Sequence, residues 1–258
     1  MKKFVALLMA VLMCGLLFCA CTGAKNDLEY VQEKGTLIVG ITEFKPMDWQ
    51  EDGEWVGFDA EMARKFAEYL GVEVEYIEIN WDNKAMELET KSIDVVWNGM
   101  TITDEVKGLM GVGDAYCKNA QVVVVKADIA ANIKTVDDIK SLTFAVENGS
   151  AGAKALDAEG ITYTACDTQA KALLEVNTGA SQACVIDLLM AGAMIGEGSD
   201  YPNLTTTISL NSEEYGVGFR KDSELIEEFN KFWKANYDSG TVMEMAEKYG
   251  IAKNIIEK

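Results

Sequence analysis

Histidine is absent from the 258 residues, and that absence removes many familiar reaction centres at once. Neither a Ser-His-Asp nor a Cys-His nucleophile can be assembled, nor a histidine-ligated zinc or haem site. Arginine occurs only as Arg64 and Arg220, too few for a phosphate-gripping surface. The 42 acidic against 23 basic side chains give a formal charge of -19, which repels nucleic acid because its binding depends on neutralised phosphates. What remains is chemistry by carboxylates, backbone amides and aromatic faces. Carboxylates can carry charge for a cation, and aromatic rings can offer it a face. Gly149-Ser150-Ala151-Gly152 follows an apolar run and opens a helix, whose free N–H groups suit a carboxylate. Plainer roles stand beside each of these. Many Gly/Ser turns bind nothing, Asp187 suits the cap of a helix over 188–195, and Glu43 and Glu147 read as solvated surface acids. Taken singly, Trp49, Trp55, Trp81 and Trp97 read as packing.

The elements that must position these residues alternate along the chain. Thr36–Ile41 reads as a buried strand, with turn signals around Pro46 and Asp52-Gly53. Phe58, Met62, Phe66 and Leu70 then form one helical stripe that stops at Gly71. Residues 72–79 alternate with period two, 82–91 suit a short helix, and 93–97 a third strand. The pattern restarts with apolar runs at 121–125 and 142–146, helices at 150–159 and 168–177, and a strand at 183–186. A helix at 187–195, strands at 205–209 and 217–219 and helices at 222–239 and 241–249 complete the chain. The length fits two lobes, and the order predicts mainly parallel sheets flanked by helices, with a site beyond the strand C-termini.

Lys2 and Lys3 before the uncharged apolar run from Phe4 to Ala20 have the layout of an export signal. The run ends Phe18-Cys19-Ala20-Cys21 and resembles a bacterial lipobox, which implies a diacylglyceryl group on Cys21 and attachment to the outer face of the cytoplasmic membrane of a Gram-positive cell. The expected organisation is a signal over 1–20 and a tether over 21–26. Cys117, Cys166 and Cys184 then remain, an odd number with no CxxC spacing, and read as small buried apolar residues rather than a disulfide framework or a metal site.

Several segments together resemble the extracellular solute-binding proteins of polar amino-acid ABC importers. They are Pro46-Met47 before Gly57-Phe58-Asp59, Ile93-Asp94 leading to Gly99-Met100-Thr101-Ile102-Thr103-Asp104-Glu105, Asp114-Ala115-Tyr116, Glu147-Asn148-Gly149-Ser150-Ala151-Gly152, Val185-Ile186-Asp187 and Tyr215-Gly216-Val217-Gly218-Phe219. The resemblance implies a two-lobe type II periplasmic-binding fold in which the chain crosses between lobes near 116–119 and 212–215. Lobe one would hold 27–116 and 214–258, and lobe two 117–213. It also implies a monomer that needs no cofactor or metal and hands its solute to a membrane-embedded ABC permease.

Carried over by position, Phe44 and Trp81 would stack on the ligand, Gly99 and Thr101 would bond it from the loop after the third strand, Ser150 and Ala151 would hold a carboxylate, and Asp187 would take an α-ammonium. Glu43, Trp49 and Glu147 flank the same loops as further candidates. One departure decides the ligand. Where the family places an arginine after Thr-Asp-Glu to grip the carboxylate, this chain has Val106, and the adjacent Lys107 is no equivalent fork. Gln182, Gly113 and Ala115 also depart from commoner residues. Either neutral donors hold the carboxylate, or the ligand is a cationic amine without one. A secreted dehydratase on the same fold is the competing class, and it lacks an anchor for an anionic substrate. A sensor domain would need a membrane span and kinase segment after Lys258. The expectation is an amino-acid-like solute.

Overall fold

The computed structural model describes residues 26–258, so the expected signal over 1–20, the expected lipid site at Cys21 and most of the expected tether lie outside the described residues. The chain opens with α1 (Asp27–Lys34), capped by Asn26, then β1 (Thr36–Ile41), a hairpin of β2 (Trp49–Glu51) and β3 (Glu54–Val56), and α2 (Phe58–Leu70). There follow β4 (Glu73–Glu78), α3 (Lys84–Glu89), β5 (Val95–Val96), α4 (Asp104–Leu109), β6 (Gly111–Val112), β7 (Cys117–Asn119) and β8 (Gln121–Lys126). The middle of the chain supplies α5 (Ala127–Ala130), β9 (Phe144–Glu147), α6 (Ala151–Ala158), β10 (Tyr163–Cys166), α7 (Gln169–Thr178), β11 (Ala183–Asp187) and α8 (Leu188–Met194). It ends with β12 (Leu204–Ser209), β13 (Glu213–Tyr215), β14 (Gly218–Phe219), α9 (Leu225–Asp238) and α10 (Thr241–Lys248).

These strands form two five-stranded sheets, one in each lobe, ordered β4-β1-β5-β14-β6 and β10-β9-β11-β8-β12. In the first, β4, β1 and β5 are parallel, with Thr36 opposite Glu73 and Val39 opposite Val95. In the second, β10, β9 and β11 are parallel. Two strands break the pattern: β14 runs antiparallel to β5, and β8 antiparallel to β11. Each follows directly on a strand of the separate ribbon β7–β13, in which Cys117 pairs with Tyr215 and Asn119 with Glu213. Chain arriving from the ribbon enters each sheet at the end where the parallel strands finish, so it must run the other way.

The helices owe their places to their apolar faces. Phe58, Met62, Phe66 and Leu70 are all buried, and Gly71 closes α2 in the left-handed conformation (φ 76°). The aromatic face of α9 completes that core: Phe229 and Trp233 lie 5.2 and 6.3 Å from the Trp97 ring, and Phe66 meets Trp97 at 6.1 Å. Trp97 is therefore packing, at 0% exposure. Cys117 and Cys184 are buried, Cys166 half-buried, and all three are free thiols. Among the described residues no helix is long and apolar enough to cross a membrane.

Candidate functional site

A cleft opens where β5, β9 and β11 end, between the two sheets. From the first lobe it is lined by Trp81, Asn98, Gly99, Thr101 and Val106, and from the second by Glu147, Ser150, Ala151, Gln169 and Asp187. Of the residues singled out in the sequence, the structure thus brings Trp81, Gly99, Thr101, Ser150, Ala151, Glu147 and Asp187 together.

Phe44, Trp49 and Glu43 stand elsewhere. Phe44 is 3% exposed, edge-on to Tyr215 at 6.3 Å, and lies behind the Gly99 loop. A Cβ on Gly99 would fall 2.3 Å from the Phe44 ring, and Gly99 has φ +56°, so only glycine lets the loop lie on that ring. Phe44 supports the loop rather than lining the cleft. Trp49, on the β2–β3 hairpin, packs against Tyr249 at 5.7 Å, and Glu43 accepts from the Gln50 amide at 3.4 Å. Glu147 corrects the reading in the other direction. It is no solvated acid but 3% exposed, because it ends β9, an interior strand between β10 and β11, at the cleft floor.

Asp187 ends β11, at the cap position of α8, yet its side chain makes no capping bond. Its carboxylate instead accepts from Gln121 Nε2 at 2.7 Å, Tyr215 OH at 2.9 Å, and the Asn119 and Gln169 side-chain amides. Glu213, on the ribbon, shares two of those donors: it accepts from Asn119 at 2.7 Å, Gln121 at 2.8 Å and also the Thr101 hydroxyl at 2.8 Å. Thr101 therefore spends its hydroxyl on Glu213. Burial, then the charge of Glu213, push the Asp187 carboxyl above its ordinary range. Burial and then Asp187 push Glu147 up to about 8, against the attraction of Lys84 and bonds from Gln169. Glu147, Asp187 and Glu213 are thus three carboxyl groups gathered without a direct ion pair among the described residues, an arrangement that favours a cation entering the cleft.

Another part of the cleft suits an anion. Ser150 caps α6, its Oγ accepting from Ala153 N at 3.1 Å, and leaves the Ala151 and Gly152 amides without helical partners. Lys84 stands nearby, its ammonium 4.7 Å over the Trp81 ring. The lobes touch across the cleft: Lys84 donates to the Gly149 carbonyl at 3.3 Å, Asn148 to Asp82 at 3.0 Å, and Lys154 pairs with Glu105.

Residues 37–252 match the family described as bacterial extracellular solute-binding proteins, family 3. The chain belongs to that family. The arginine-binding extracellular protein ArtP of Bacillus subtilis (strain 168) is 29% identical over 256 residues, covering 96% of this chain and 98% of ArtP. The L-cystine-binding protein TcyJ of Escherichia coli (strain K12) is 30% identical over 227 residues, covering 86% and 85% of the two chains. Among solved structures, the P235GK mutant of ArgBP from T. maritima superposes with a TM-score of 0.81 at 33% identity, covering 86% of this chain and 98% of that one. These neighbours bear out the two-lobe periplasmic-binding fold.

Gln169, Asn119, Gln121, Glu213 and Lys84 escaped the sequence reading. The one local signal was Gln121, a polar residue opening the apolar run Val122–Val125. The others become visible only when strands distant in sequence meet.

Proposed function

We propose that this solute-binding protein captures a small amino-acid-like solute between its lobes, without turnover, and delivers it to an ABC permease. The observation that carries the reading is the pairing of two unlike groups in one cleft: buried carboxyls at Asp187 and Glu147, beside the half-buried Glu213, for an ammonium, and the α6 amides for a carboxylate. The named ligands of ArtP and TcyJ, arginine and cystine, both carry those two groups. Trp81 supplies a ring face beside them. Closure follows because Asp187, Glu147 and the α6 amides stand on the second lobe while Trp81, Gly99 and Thr101 line the cleft from the first, so only the closed lobes offer all of them at once. The lobes would divide as 27–116 with 214–258 and 117–213, and rotate about the β7–β13 ribbon.

The valine at position 106 favours a second reading, a cationic amine with no carboxylate. Melting-temperature shifts across amino acids, their carboxamides and the matching amines separate the two. A solute held at both ends stabilises the protein more than its amide or amine does. If amines stabilise it and amino acids do not, the amino-acid reading is wrong.

Attachment through a diacylglyceryl group on Cys21 belongs to the same proposal and would keep the binder beside its permease at high effective concentration. Cys21→Ser is expected to abolish lipid labelling and move the protein into the medium or leave it unprocessed. Undiminished labelling of that variant would reject Cys21 as the anchor.

A further inference from the structure

An amino-acid solute brings a carboxylate into a cleft whose expected arginine is missing, so its negative charge needs another partner. Position 106 does not offer one. Val106 is 6% exposed and belongs to an apolar cluster with Trp81, Met100 and Met110. Lys107 has its side chain on the exposed side of α4, away from the cleft lining.

We propose that Lys84 has taken over the anchoring of the solute's carboxylate, gripping it together with the first amides of α6; this rests on the amino-acid reading above. Lys84 lines the cleft, and its ammonium lies 4.7 Å over the Trp81 ring. An ammonium has three N–H donors. Two are spent on carbonyls, Trp81 O at 3.0 Å and Gly149 O at 3.3 Å, which leaves one for a ligand. The other cleft lysine, Lys154, is already paired with Glu105, whereas no ion pair within 4 Å engages Lys84 among the described residues.

The placement is also specific. Gly149 O directly precedes Ser150, the cap of α6, so the ammonium stands one peptide from the unbonded Ala151 and Gly152 amides. A carboxylate there would receive a charge-assisted bond from lobe one and backbone bonds from lobe two. Burial, and then repulsion from Lys154, lower the Lys84 ammonium to about 8, so an arriving carboxylate also relieves a cation short of compensation. At about 8 the ammonium is still charged near neutrality, and Asp82 attracts it.

The common L-amino acids and L-cystine are screened by melting temperature against the wild-type protein. The tightest binder and its α-carboxamide are then titrated calorimetrically into wild type, Lys84→Met and Lys84→Arg. Lys84→Met keeps an apolar stem and removes the charge. Expected is a loss of about 30-fold or more in affinity for the acid, little change for the amide, and partial recovery in Lys84→Arg. The wild type's preference for acid over amide should largely vanish in Lys84→Met. If Lys84→Met keeps that preference, or weakens acid and amide equally, Lys84 is not the anchor, while the amino-acid reading stands. If no amino acid stabilises the wild type, that reading fails and the inference with it.

Discussion

Asp187→Ala is expected to weaken binding of an ammonium-bearing solute by about 2–5 kcal/mol, roughly 30-fold to several thousand-fold in Kd. The size follows from burial: a cation brought into a closed cleft and left without its counter-charge pays the full desolvation cost. Asp187 is 4% exposed and oriented by Asn119, Gln121, Gln169 and Tyr215. Asp187→Asn separates charge from shape. It fills the same space but loses the charge, and its own N–H groups meet other donors, so it should also bind poorly. Calorimetry on the best-bound solute reads the affinity, and the ligand-free melting temperature reports damage to the network. An Asn variant with undiminished affinity would reduce Asp187 to scaffolding between β11 and the ribbon.

The second large effect is on stability without ligand, which is expected to fall as pH rises from about 5 to about 8. Burial pushes Glu147 up to about 8 and Asp59 up to about 7, and raises Asp48 and Asp187 as well. A carboxyl whose folded-state value lies above its unfolded value keeps a proton that the unfolded chain releases. Its contribution is whole below the unfolded value near 4 and is lost as pH climbs through the folded value. Glu61 and Glu228, held down by Lys248 and Lys231, change stability only below their ordinary range near 4.5. Lys84, lowered to about 8, changes it only above that pH.

Glu147→Gln removes one raised carboxyl and should stabilise the ligand-free protein at pH 8 by a few kcal/mol at most, at about 1.4 kcal/mol per pKa unit, and little at pH 5. The same variant should bind a cationic solute less well. Melting temperatures of both proteins at pH 5, 6, 7 and 8 check this. A wild-type melting temperature that rises steadily with pH, or a Glu147→Gln profile parallel to wild type, would contradict it.

Elements with a long apolar period were legible, and those built from polar or distant residues were not. The Phe58-Met62-Phe66-Leu70 stripe announces α2 because a helix must bury one face. α1 has one buried residue, Val31, and rests on its Asn26 and Gly35 caps, so periodicity gave no sign of it. The Asp52-Gly53 turn is visible, but its flanking strands have three residues each, too short for alternation to register. Strand direction in β8 and β14 follows from where the ribbon delivers the chain, which no local pattern encodes. At the site, the family resemblance, carried over position by position, put Gly99, Thr101, Ser150, Ala151 and Asp187 at the cleft, and all five line it. Side-chain direction was the weaker inference: Phe44 turns behind Gly99, and Glu147 turns inward.

Glu213 stands on the ribbon itself, bonded to Thr101 of one lobe and to Asn119 and Gln121 leading into the other. The charge balance of the cleft is thereby written into the joint about which the lobes would turn. A solute of suitable shape but without positive charge fills the space and leaves unmet the need of Asp187, raised by burial and Glu213, for a counter-charge. One that carries an ammonium meets it. Cargo would then be graded at the joint: an ill-charged passenger could enter, but it would give the closed form no electrostatic advantage over the open one.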